Sequence, residues 1–96
     1  ILKKVKKFSQ KNNIEFYFIY LPTYSRYSLN FNQNSYNQMM LTLKNLDIKF
    51  IDLHAEVFQK ELNPKSLFPF ELKGHYNIEG YLKSSKQILK NIDTTK

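Results

Sequence analysis

The chain has 96 residues, 42% of them hydrophobic and 16% aromatic, with a formal net charge of +7 and no cysteine. That is enough for one small domain with a packed core, and it excludes general disorder, disulfide bonding and thiolate metal sites. No apolar run approaches the ~20 residues needed to span a bilayer, and fourteen lysines against a single arginine weigh against dedicated nucleic-acid recognition, which recruits arginine for its planar fork.

In chain order, Leu2, Val5 and Phe8 recur at helical spacing while Lys3, Lys4, Lys6, Lys7 and Lys11 cover the other faces, which predicts an amphipathic helix ending near Asn12-Asn13. Because the chain opens at Ile1 and is helical in pattern from there, it is expected to be a piece of a longer protein. A nearly continuous β-branched and aromatic run from Ile14 to Leu21, halted by Pro22, predicts a strand covered on both faces. Residues 23–34 are polar and tyrosine-rich, a loop leading to a helix of about ten residues over 35–46. A second strand spans Ile48 to Leu53, and residues 54–62 read as one or two short helical turns. Two prolines make 63–74 an irregular loop. The last element is a helix from Ile78 to Ile92, with Tyr81, Leu82, Ser85, Ile88, Leu89 and Ile92 expected to face inward.

Two apolar strands joined by a helix predict an α/β fold with a right-handed βαβ crossover in a parallel sheet. Such strands need further neighbours, which are expected upstream.

Chemistry concentrates at GHYNIEGY, residues 74–81, which holds one of two histidines and both glycines. Asn77 is suited to cap the final helix, with Glu79 in its first turn, so His75 stands just before a helix N-terminus on a loop leaving the sheet. Ligands of open α/β sheets gather beyond the carboxyl ends of the strands. Gly74 is expected to turn the backbone sharply, and Gly80 to let the helix approach the sheet closely.

The strings IKFIDLH and LFPFELKGHYNIEGY, followed by an amphipathic helix, resemble the C-terminal region of SGNH/GDSL-type hydrolases, whose last block places a catalytic histidine in a G-H-[YFW]-N-x-x-G string. The resemblance covers roughly Ile14 to Ile92. It implies that residues 1–96 are the C-terminal portion of a single domain with a partial flavodoxin-like, three-layer α/β/α fold. It also implies an ester hydrolase or acyltransferase in which His75 takes a proton from a serine hydroxyl and returns it to the leaving group. The family's aspartate three positions before the histidine is replaced here by Leu72. Either Glu71, four positions before, orients the imidazole, or a backbone carbonyl does so in a Ser-His dyad. None of Ser9, Ser25, Ser28, Ser35, Ser66, Ser84 or Ser85 has the family's glycine-flanked setting, so the nucleophile and oxyanion donors are expected outside the chain, which alone should be inactive. No cofactor or metal is implied. The implied partner is a small-molecule or saccharide ester, the family's habit is the cell envelope, and membrane association would come through the longer protein.

Other residues are read more plainly. Asp52, His54 and Glu56 do not converge on one helical face as metal ligands would; Asp52 is expected to cap the short helix and His54 to line a pocket rim. Tyr24, Arg26 and Tyr27, after the first strand, are candidates for a substrate wall. Phe68 and Phe70 are expected to anchor the histidine loop. A lysine-rich helix is usually a solvated face, and the rival readings are a basic binding module for anionic partners or a non-catalytic scaffold of the same fold.

Overall fold

The computed structural model describes residues 1–28 and 31–93. Helix α1 (Leu2–Lys11) leads to strand β1 (Tyr17–Tyr20), and helix α2 (Gln33–Asn45) leads to strand β2 (Lys49–Asp52). A short helix α3 (Leu53–Glu56) follows, then 3-10 turns at Phe58–Lys60, Pro64–Leu67 and Pro69–Glu71, and then helix α4 (Ile78–Asp93). One more 3-10 turn, Tyr24–Tyr27, lies between β1 and α2. Leu29 and Asn30 of the expected polar loop lie outside the described residues.

The two strands pair in a small parallel sheet, which gives the chain α/β character with α2 in the crossover. Two strands do not by themselves make a three-layer, flavodoxin-like arrangement. The chain divides into two compact units, Ile1–Phe18 with Asn32–Phe50, and Ile19–Phe31 with Ile51–Lys96. Each strand begins in the first unit and ends in the second.

In the first unit both helices end by the same device. Asn13 and Asp47 adopt the left-handed conformation, each with φ 54°. The next amide folds back on the helix, from Ile14 to the Ser9 carbonyl and from Ile48 to the Leu43 carbonyl, each at 2.9 Å. This is a Schellman closure, for which glycine is the usual residue and asparagine an accepted one. It explains why both strands start later than the apolar pattern suggests: the amides of Ile14 and Ile48 belong to the helix ends. The Lys6 ammonium adds to the second closure by donating to the carbonyls of Leu46 and Asp47, where the helix dipole favours a cation. Asn32 caps α2 by accepting from the Asn34 amide at 2.8 Å, so the helix begins two residues earlier than expected. Leu43 and Ile48 are the buried hydrophobic residues of this unit.

The second unit packs Ile51, Leu53, Val57, Phe58, Leu67 and Phe68 into its core. Aromatic rings dominate it. Phe58 lies 5.8 Å from Phe68 and 4.8 Å from Tyr76 between centroids, Tyr27 stacks on Phe58, and Tyr24 and Tyr76 meet Phe68 edge-on. Strand β2 ends at Asp52 because its carboxylate turns to cap α3, accepting from the amides of His54 and Ala55, as the sequence suggests.

Two expectations are corrected here. Phe68 is an anchor, but Phe70 is 94% exposed, because Phe70 and Glu71 both turn through φ 55°. Helix α4 also presents only part of the face its apolar pattern suggests. Gly80 and Ser84 are buried and Gln87, Ile88, Asn91 and Ile92 half-buried, so Ile88 and Ile92 lie inward as expected, while Tyr81, Leu82, Ser85 and Leu89 are exposed. The reason is local. Gly80 packs so tightly that an added Cβ would stand 2.6 Å from the Leu67 carbonyl oxygen. Further along, Gln87 and Asn91 donate to the same Glu56 carboxylate oxygen at 2.7 and 2.9 Å. Small and amide side chains, which a hydrophobic pattern ignores, therefore choose the inward face. The neighbour that requires glycine at position 80 is the Pro64–Leu67 turn.

Candidate functional site

His75 lies between two anchored residues and an unconstrained one. Before it, Gly74 has φ 158° with open space where a Cβ would stand, so backbone angle and not crowding favours glycine there. After it, the Tyr76 ring is held among Phe58, Phe68 and Tyr81, and its hydroxyl donates to the Pro22 carbonyl at 2.6 Å. Asn77 is fixed by three hydrogen bonds. Its amide donates to the Leu67 carbonyl, its side-chain nitrogen to the Ser66 carbonyl, and its side-chain oxygen accepts from the Gly80 amide in the first turn of α4. The capping role expected of Asn77 is thus present. Glu79 is exposed in that first turn and pairs with Lys83 at 3.1 Å.

The imidazole itself is exposed, and among the described residues no hydrogen bond or ion pair reaches it. It lines an open depression of about 200 Å³ together with Leu21, Pro22, Thr23, Gly74, Tyr76 and Tyr81. Leu21 to Thr23 follow the last residue of β1 directly, so the depression sits at the carboxyl end of that strand, where α/β sheets gather ligands. Burial, together with the neighbouring Tyr20 and Tyr81, pushes the Tyr76 phenol above its ordinary value, so it stays a hydrogen-bond donor.

Glu71 is engaged elsewhere: its carboxylate accepts from the Asn63 side chain at 2.8 Å, and no contact to His75 is present among the described residues. Nor does any described serine hydroxyl bond to His75.

The residues expected to form a substrate wall turn inward. Arg26 is only 7% exposed and lies 4.4 Å from the Phe31 ring centroid, with the Tyr20 phenol as a hydrogen-bond partner. Tyr24 and Tyr27 are half-buried against Phe68 and Phe58. His54 is half-buried too, with Nδ1 3.0 Å from the Tyr27 hydroxyl. Burial first and the Arg26 guanidinium second depress the His54 pKa, with Asp52 opposing them; burial raises that of Tyr27. Tyr20, Arg26, Tyr27, Asp52 and His54 thus form an interior network near the ends of β1 and β2, apart from the residues that line the depression. Sequence reasoning missed the lining residues Leu21 to Thr23, Tyr76 and Tyr81; the one signal for Tyr76 was the aromatic position after the histidine.

Among the described residues no group of three histidine, aspartate or glutamate side chains is placed to hold a metal. The fold and site define a small α/β protein with an exposed histidine at a strand's carboxyl end. No family model, characterised protein or solved structure matches the chain.

Proposed function

We propose that the chain is the C-terminal part of a flavodoxin-like, SGNH-type α/β domain belonging to a serine ester hydrolase or acyltransferase, with His75 as general base and acid. One observation carries the reading. The molecule anchors the residues after an imidazole on both the backbone and side-chain level, yet leaves the imidazole unpartnered among the described residues, beside a depression at a strand's carboxyl end. A histidine serving packing would be buried or bonded.

In this reading the serine and the oxyanion donors lie outside these residues. His75 removes the hydroxyl proton as the serine oxygen attacks the ester carbonyl, then delivers it to the departing alkoxide; the acyl group passes from the enzyme to water or to an acceptor hydroxyl with the same proton traffic reversed. Because the Glu71 carboxylate already accepts from Asn63, the arrangement is read as a Ser-His dyad.

The test is esterase turnover of the full-length protein on a panel of acyl esters. His75→Ala should lower kcat by about a thousandfold or more while the fold persists, and near-normal turnover would remove His75 from the mechanism. Glu71→Gln should change the rate less than about threefold; a loss comparable to that of His75→Ala would restore a triad.

A second reading draws on α1, where Lys3, Lys4, Lys7 and Lys11 are exposed without an ion partner among the described residues. A basic module would bind anionic polymers or vesicles with steep salt dependence, and no binding at low salt would dismiss it.

A further inference from the structure

We propose that Tyr76 is the positioning residue for His75, holding the imidazole in register with the end of β1 through its hydroxyl bond to the Pro22 carbonyl. The inference rests on the hydrolase reading for its catalytic consequence, but its structural part stands on geometry.

The bond joins residues 54 apart in sequence and is short, at 2.6 Å. Its acceptor is well fixed, since Pro22 is fully buried and carries no amide of its own that could be drawn into the sheet. Its donor is equally fixed, with the ring against Phe58, Phe68 and Tyr81. The adjoining residue is His75, so the position of the imidazole relative to Leu21, Pro22 and Thr23 is set one peptide away from the tether. On the other side Gly74 offers only a permissive backbone. Without the tether the ring of Tyr76 would still pack, but this directional link between the loop and the strand end would be lost. A general base works only within hydrogen-bond reach of the proton it takes, and small displacements there cost rate far more than binding.

Tyr76→Phe removes the tether and keeps the ring. In the full-length protein it should lower kcat about tenfold or more with KM within about twofold. In the same variant the His75 ring resonances, assigned by their disappearance in His75→Asn, should shift as the backbone that carries the ring moves relative to Pro22. Ile51→Val, a core truncation in β2, serves as the stability control and should leave both readouts at wild-type values. Wild-type kcat and unchanged His75 resonances in Tyr76→Phe would overturn the proposal. So would losses in Ile51→Val equal to those in Tyr76→Phe at matched melting temperature, since the role would then be structural alone. Full turnover in His75→Ala would sink the hydrolase reading instead, and the resonance measurement would then decide the tether by itself.

Discussion

Ser84 and Gly80 occupy the same inward face of α4 and make opposite predictions. Ser84 is 4% exposed, and its hydroxyl has no hydrogen-bond partner among the described residues. Ser84→Ala removes a desolvated group and improves helix propensity, so it should raise stability by about 1 kcal/mol in urea denaturation. For Gly80, alanine would gain about 1 kcal/mol of helix propensity, but its Cβ would meet a backbone carbonyl at 2.6 Å. Overpacking of that kind costs roughly 1–3 kcal/mol, so Gly80→Ala should destabilise on balance. His54 carries the pH prediction. Its folded pKa lies below the ordinary 6.5, so the unfolded chain binds the proton more readily. Stability is therefore complete above about pH 6.5 and declines as the pH falls towards the lowered folded value. Denaturation midpoints between pH 8 and pH 5 should fall more steeply for the wild type than for His54→Gln; parallel curves would assign the acid sensitivity to other groups. At this scale the sequence disclosed Asp52 and Asn77 as caps and the need for glycine at position 80, though the close neighbour there is the Pro64–Leu67 turn and not the sheet as expected. It did not disclose that Arg26 is interior, which follows from its Phe31 and Tyr20 neighbours, or that Phe70 points to solvent, which follows from a left-handed backbone angle that the residue type does not announce.

The elements were legible where one residue dictated them and misread where several competed. Both strands were visible as apolar runs, yet each begins three or one residues late because the helix before it claims the first amide. The strings NIEF and DIKF, residues 13–16 and 47–50, were the available signal: each sets an Asn or Asp before an isoleucine, the left-handed residue before the helix-closing amide. Glu15 and Lys49, equivalent in the two strings, also form an ion pair at 3.0 Å. Asn13→Gly should stabilise the first unit by roughly 0.5–1 kcal/mol, since glycine carries no penalty at positive φ; a lower melting temperature would show that the asparagine side chain contributes more than its backbone costs. The orientation of α4 was illegible for a physical reason. Its inward contacts are a glycine, a serine and two amides beside Ile88 and Ile92, so Tyr81, Leu82 and Leu89 advertise a side that the described residues leave uncovered.

For the whole molecule, apolar exposure is the informative quantity. Phe8, Ile14, Leu21, Leu41, Leu62, Phe70, Leu72, Ile78, Leu82 and Leu89 are all more than half exposed. Isolated apolar side chains on a surface are ordinary, but this many in a small chain is the pattern of a protein with faces left to cover. If the chain is part of a larger α/β domain, the isolated 96 residues should bind the fluorophore anilinonaphthalene sulfonate strongly, and the full-length protein should bind it weakly. Equal binding by both would count against further strands and helices covering these faces. The broad class was readable from the alternation of helices and apolar strands, whereas the layering was not, since two strands with half-exposed neighbours are compatible with several larger sheets.

The 54-residue span between Tyr76 and Pro22 also bears on how the molecule is made. A ribosome delivers Pro22 long before Tyr76, and contacts so far apart along the chain are costly to close early in folding. The loop that carries the imidazole is therefore seated against the end of β1 only after the whole intervening stretch has been made, later than the local helix ends can close.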